Sequence, residues 1–261
     1  MLLLRQFRLL RRQLRRRFAA APAARRIFVH IGAHKTGTTY IQQTLEANRA
    51  RLPLAFEVVP RRQHQLARLA RIAANVRTDQ DSSAKETDLR RNAALLAQRF
   101  CRVKTLLITH EGLPGPMPGR VRFPGLYPQA KYLLPAMVSG LAAHGATVEL
   151  IFYQRRFADW QASLYRYRFR DQPDRDYNPR RFARRCGLPD GWGDFICELQ
   201  TVLPDIPLHV VSYEKDRATG LLGRAIYQRV GLTDTDINAL RRLPAQNVSR
   251  PETRHDIQFE Q

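Results

Sequence analysis

A chain of 261 residues, 44% hydrophobic and 26% charged, is long enough to bury a sizeable core and is too apolar for wholesale disorder. Its formal net charge of +21 attracts anions, among them nucleotide phosphates, acidic glycans, nucleic acid and anionic membranes, without choosing between them. Three cysteines, Cys101, Cys186 and Cys197, have no CxxC spacing, which excludes a disulfide framework and a cysteine zinc site and fits a reducing, cytoplasmic compartment; no run approaches the ~20 apolar residues of a membrane-spanning helix.

Residues 1–26 carry nine Arg and no acid around the stripe Leu3, Phe7, Leu10, Leu14 and Phe18, whose spacing is helical and amphipathic. Because the Arg continue through the apolar stretch, a cleaved secretory signal is not expected. Residues 1–25 therefore form a basic N-terminal extension, read either as an interfacial helix on an anionic inner membrane surface or as a frayed basic arm.

After Pro22 the pattern changes to a buried strand over 26–31, a glycine-bearing turn and a helix over 38–50, the opening of a βαβ unit. Helices are expected over 61–76 and 86–102, with a polar loop from Thr78 to Ser83 between them. A second strand, 105–109, runs into His110, Glu111 and a Pro/Gly-rich loop from Leu113 to Tyr127. A helix over 129–143 leads to a strand over 147–153, a helix over 157–169, an Arg-rich connection over 171–185 and a helix near 191–202. A strand over 208–213, a helix over 218–230 and a polar tail over 246–261 complete the chain. Strands alternating with helices predict one α/β domain, 26–245, with a mainly parallel central sheet flanked by helices on both faces.

The strongest chemical signal is Gly32-Ala33-His34-Lys35-Thr36-Gly37-Thr38-Thr39, where a strand turns into a helix. Main-chain N–H groups of a first helical turn have no intrahelical partners, and the helix dipole adds positive charge, so a phosphate fits among them. Two glycines allow close approach, Lys35 adds a point charge and the Thr38 and Thr39 hydroxyls add donors at the helix start. The nucleotide-triphosphatase pattern GxxxxGK[ST] needs Lys after the second glycine, where Thr38 stands, and an Asp at the second strand end, where Thr109-His110-Glu111 stands. A donor without a β,γ-diphosphate, and no bound metal, suits that departure.

The run Lys35-Thr36-Gly37-Thr38-Thr39 after the first strand resembles the 5'-phosphosulfate loop of the sulfotransferases that use 3'-phosphoadenosine-5'-phosphosulfate (PAPS), and HIGAHKTGTTYIQQTL is most similar to the bacterial carbohydrate-type members. In that family an Arg ending the third strand and a Ser eight residues later hold the 3'-phosphate, a spacing met by Arg155 and Ser163, with Arg156 the alternative if the register shifts by one. An Arg fork and a hydroxyl are the right donors for a phosphate dianion.

The resemblance implies a P-loop-like sulfotransferase fold, with Lys35 stabilising charge as the sulfuryl group leaves and PAP as the product. It implies a base at His110 or Glu111, and aromatic contacts from Tyr40 and Tyr213 to the adenine. The acceptor is expected to be a hydroxyl or amine on an anionic or polyhydroxylated molecule such as a glycan, and no specific nucleic acid is expected. An ATP-dependent small-molecule kinase and a non-catalytic basic binder of nucleic acid or membrane are the competing readings.

Overall fold

The structure, a computed structural model, describes residues 6, 9–11, 14, 24–76, 79–120, 124–172 and 178–244, without side chains for 79–83. The 246–261 tail and most of the 1–25 extension lie outside the described residues, although Gln6, Leu9, Leu10, Arg11 and Leu14 are helical. Among the described residues no helix is long and apolar enough to cross a membrane.

Five strands, β1 (Arg25–His30), β2 (Phe56–Val58), β3 (Thr105–Thr109), β4 (Ala146–Gln154) and β5 (Leu208–Ser212), form one sheet in the order β2-β3-β1-β4-β5, with every neighbouring pair parallel. Between β1 and β3 lie α1 (Thr38–Asn48), α2 (His64–Asn75) and α3 (Asp79–Arg99). Then come α4 (Ala130–Ala142), α5 (Phe157–Arg168), α6 (Pro179–Arg185), α7 (Gly193–Val202), α8 (Tyr213–Ala218), α9 (Arg224–Arg229) and α10 (Asp234–Asn238).

The central strands read as unbroken apolar runs because both faces are covered. Ile27, Val29 and Ile31 point into one core with α2 to α7, while Phe28 joins Ile41, Leu45, Ile226 and Ile237 in a second core on the opposite face. Each fully buried Leu, Ile or Phe contributes roughly 1.5–3 kcal/mol relative to exposure. Arg25, read as the last residue of the N-terminal extension, instead begins β1; its buried guanidinium donates to the carbonyls of Ala97, Phe100 and Val103, satisfying the end of α3.

Five expectations change. β2 was not expected: Glu57, 2% exposed, is tolerated because Arg49 Nε donates to it at 2.8 Å. Asp79 to Ser83, expected as loop, open α3, which is held from Leu89 onward by close packing on α4, where Gly140 meets the main chain of Arg90. The expected connection over 171–185 contains α6, started by Asn178 accepting from the Arg181 N–H. Finally, Ser212 caps α8 through Lys215 N–H, so Tyr213 begins a helix rather than ending a strand; the expected helix over 218–230 breaks at Gly220 and Gly223, which have φ of 76° and 97°.

Candidate functional site

Strand order turns outward in both directions from β1, so the loops at its carboxyl end part and leave a crevice. His30 is in register with Thr109 of β3 and Ile151 of β4. The Lys35 loop therefore emerges between two strand ends, with His110 and Glu111 on one side and Arg155 on the other.

The loop is built to present N–H groups. Ile31 and Ala33 still bond to the carbonyls of Ile151 and Tyr153, and the first bonds of α1 run from Tyr40 and Ile41 to the Gly37 carbonyl. The N–H groups of residues 35 to 39 thus have no acceptor among the described residues. Lys35 and Gly37 both take left-handed φ, 70° and 83°. For a lysine that conformation costs roughly 1–2 kcal/mol, a strain of the kind concentrated at ligand sites. Gly37 is required twice, by its φ and by Leu222 packed where a Cβ would stand. A Cβ on Gly32 would lie 2.6 Å from His30 Nε2 and 3.1 Å from Thr38 Oγ1. Both of those buried atoms lack a hydrogen-bond partner, so the glycine keeps open a polar floor beneath the loop. The other ring nitrogen, His30 Nδ1, pairs with Thr109 Oγ1 at 2.7 Å, and burial lowers the His30 pKa to about 4, keeping it neutral.

Thr36 turns its side chain into the loop. Its buried hydroxyl donates to the Ala33 carbonyl and closes the loop, so only its main-chain N–H faces outward. Thr38 keeps a free hydroxyl, and Thr39 is half-buried beside it. His34 shapes the loop with all its near polar groups: its N–H donates to Tyr127 Oη at 2.9 Å, and Nδ1 accepts from that hydroxyl at 2.8 Å. Its carbonyl accepts from Trp160 Nε1 at 2.8 Å. Burial lowers the His34 pKa to about 4 against the opposing charge of Glu111.

Lys35 Nζ lies 4.3 Å from the centroid of the Tyr167 ring, which Arg170 also approaches, at 5.3 Å. Burial, then the charges of Arg155 and Arg170, lower its pKa. Arg155 reaches over the ring of Tyr213 at 5.3 Å, and the same ring borders Gly37, with Tyr213 Cε2 3.6 Å from the position of a Cβ there. Arg155 and Tyr213 line a cleft of about 380 Å³ with Asp159, Glu214, Arg217 and Ala218. Arg156 is exposed and paired with Asp159 at 3.5 Å, while its N–H donates to Glu214; Arg155, not Arg156, lines the cleft.

Ser163 belongs to a stripe of α5 at helical spacing. One turn before it, Trp160 bonds the His34 carbonyl; one turn after it, Tyr167 carries Lys35. Ser163, 8% exposed, falls between these two anchors on the same face. Tyr40 is placed elsewhere: its hydroxyl donates to the Leu243 carbonyl at 3.4 Å, and it does not line the cleft with Tyr213.

At the end of β3 the two candidate bases differ. His110 Nδ1 accepts from the Gly112 N–H at 3.0 Å, which leaves Nε2 to carry the proton of the neutral ring. Burial lowers its pKa, with Arg61 adding to the effect and Glu111 opposing it. Glu111 Oε2 is buried with no partner, and Arg61 stands 3.9 Å from Oε1. Burial works against its ionisation, but a hydrogen bond from its own N–H and the charges of His110, His34 and Arg61 hold its pKa below the usual carboxylate value.

Residue patterns missed His30, Tyr127, Trp160, Tyr167, Trp192 and Asp216. The spacing 160, 163, 167 was the available signal for two of them. Asp216, 2% exposed, accepts from Tyr153 Oη at 2.6 Å and from the N–H groups of Gly223 and Ala225, and so fixes the turn that carries Leu222 against Gly37. No protein-family model matches this chain, and no curated protein matches it.

Proposed function

We propose that the protein transfers a sulfuryl group from PAPS to a hydroxyl or amine of an acceptor, using a P-loop-like sulfotransferase site at the carboxyl end of the sheet. The observation that carries this reading is the convergence of the Lys35 loop and Arg155 from the ends of adjacent strands onto one aromatic ring, that of Tyr213, which borders Gly37 and lies under the Arg155 guanidinium. A cationic loop on one side of that ring and a guanidinium on the other suit a ligand with more than one negative group.

The residues present fit that ligand. The free N–H groups of residues 35 to 39 and the unpartnered Thr38 hydroxyl suit a 5'-phosphate, Arg155 and Ser163 a 3'-phosphate, and the Tyr213 face a purine. When bound, the donor supplies an activated sulfate ester, and the chain supplies position and electrostatics. Lys35 meets the charge that grows on the leaving oxygen. Glu111 takes the acceptor proton at Oε2, the oxygen with no other partner, in preference to His110, whose Nδ1 lone pair is already used. Arg61 beside Glu111, and Arg120 whose charge reaches His34, favour an acceptor that carries anionic groups, such as an acidic glycan.

The test is transfer of labelled sulfate from PAPS to a panel of acidic and neutral saccharides, lipids and phenols. Labelled product is expected with at least one acceptor, lowered by roughly 100-fold or more in Lys35→Ala. Label carried instead from ATP with Mg²⁺, and none from PAPS, would replace this reading with the kinase. Salt-sensitive adhesion to DNA or vesicles with no transfer of either kind would replace it with the basic binder.

A further inference from the structure

The chain has two tryptophans, and each holds a main-chain carbonyl of a different anion-binding segment. Trp160 Nε1–H donates to the carbonyl of His34, the residue before Lys35, at 2.8 Å. Trp192 Nε1–H donates to the carbonyl of Arg155 at 2.7 Å. The two indoles pack against each other with centroids 4.7 Å apart, and Phe157 lies against both at 5.2 and 4.9 Å. Trp160 is fully buried and Trp192 is 7% exposed.

Each bond fixes a peptide plane. In a trans peptide the N–H points opposite the C=O, so the bond from Trp160 aims the Lys35 N–H away from the indole. The next plane of interest, Arg155–Arg156, is fixed at both ends: its carbonyl by Trp192 and its N–H by Glu214 Oε1 at 2.8 Å. An indole N–H can only donate, and in a dry cluster it has no alternative partner. Neither plane can turn without breaking a buried bond, and neither indole can shift without moving the other.

We propose that Trp160 and Trp192 are positioning residues that act as one strut, setting the span between the Lys35 loop and Arg155. The strut thereby sets the preference for a ligand with two phosphates at fixed separation over a ligand with one. The ligand named here rests on the reading of the site as one for adenosine 3',5'-bisphosphate groups; the coupling of the two segments does not.

The full chain is titrated with adenosine 3',5'-bisphosphate and with AMP, which lacks the 3'-phosphate. In Trp192→Phe, which keeps the aromatic body and loses the donor, bisphosphate affinity falls roughly tenfold and AMP affinity changes less than about twofold. In Trp160→Phe both ligands weaken together, since both use the Lys35 loop. Trp192→His, whose Nε2 can take the place of the indole Nε1, recovers most of the preference and is also the variant to use if the Phe variant does not fold. Equal weakening of both ligands in the Trp192 variants, whatever happens to the melting temperature, would overturn the proposal.

If the wild-type chain shows no preference for the bisphosphate over AMP, the ligand reading fails and the coupling is tested with inorganic sulfate. Sulfate should then change the tryptophan emission of the wild type and of Trp192→Phe, but not of Trp160→Phe. Unchanged emission in the wild type at saturating sulfate would sink the strut as well.

Discussion

Glu111 and His110 follow one another at the end of β3, and what separates them is which lone pair is free. Nδ1 of His110 is engaged by Gly112, whereas Oε2 of Glu111 is buried and unengaged. Glu111→Gln is therefore expected to lower kcat by roughly 100-fold or more, while His110→Asn, whose side-chain oxygen can accept from Gly112, should cost less than about tenfold. The pH profile can exclude Glu111. A base is lost as pH falls through its pKa, and both pKa values are lowered from ordinary values of 4.5 for Glu111 and 6.5 for His110. With Glu111 as base, kcat/KM stays level through pH 6.5 and falls only below pH 4.5. A midpoint between 4.5 and 6.5 would return the role to His110. On the alkaline side Lys35 must stay charged, and its lowered pKa brings the loss of activity to below the ordinary 10.5. Motif spacing carried both candidates to the same strand end but could not rank them, because the ranking depends on a loop N–H that no pattern displays.

The turn between α8 and α9 supports the Lys35 loop from outside it. Asp216 holds this turn through the Tyr153 hydroxyl and two N–H groups, and Leu222 on the turn packs against Gly37. Asp216→Ala leaves those donors without a partner in a dry site. Urea unfolding should show a loss of about 3 kcal/mol, and binding of adenosine 3',5'-bisphosphate should weaken even where the variant is fully folded. Stability lost with affinity unchanged would separate the turn from the site.

Across the sheet, Glu149 of β4 joins Arg26 of β1 at 2.6 Å and His209 of β5 at 2.7 Å. Burial resists its ionisation, but the bonds from His209 and Arg26 lower its pKa below 4.5. Its contribution is present above the unfolded-state pKa and disappears as pH falls through the folded one. Because Arg26 is half exposed, Glu149→Gln should cost only about 1 kcal/mol at neutral pH and should flatten the acid limb of stability below pH 4.5.

Elements of this kind mark the limit of what residue order discloses. β1, β3 and β4 stand out because both faces bury apolar side chains, β5 from its β-branched run although it is only partly buried, and α1, α4, α5 and α7 follow from their periodicity. β2 is three residues around a buried Glu, made tolerable by bonds from Arg49 and the Val58 N–H that no pattern displays. The start of α3 is polar throughout, and α3 forms because its later turns pack on α4. Tyr213 reads as strand until Ser212 is seen to cap a helix.

At the scale of the molecule, a parallel sheet flanked on both faces carries a crevice at the carboxyl end of the first strand, in a chain of net charge +21. Most of that charge acts over distance and is screened beyond ~8 Å at physiological ionic strength, whereas Lys35 and Arg155 act at contact. Raising salt should therefore slow anion association more than it speeds release, a split that rapid-mixing kinetics can read. The place of the crevice was legible from the strand order and the glycine loop. The tryptophan strut beneath it was not, since hydrogen bonds to main-chain carbonyls leave no spacing in a sequence.

The most direct measurement is calorimetric titration of the full chain with adenosine 3',5'-bisphosphate, AMP and ATP with Mg²⁺. The bisphosphate should bind tightest; Arg155→Ala should erase its advantage over AMP by at least about tenfold, or ~1.4 kcal/mol, and Lys35→Ala should weaken both adenosine ligands. Tighter binding of ATP with Mg²⁺, or a bisphosphate affinity indifferent to Arg155, would contradict a single nucleotide held at both ends.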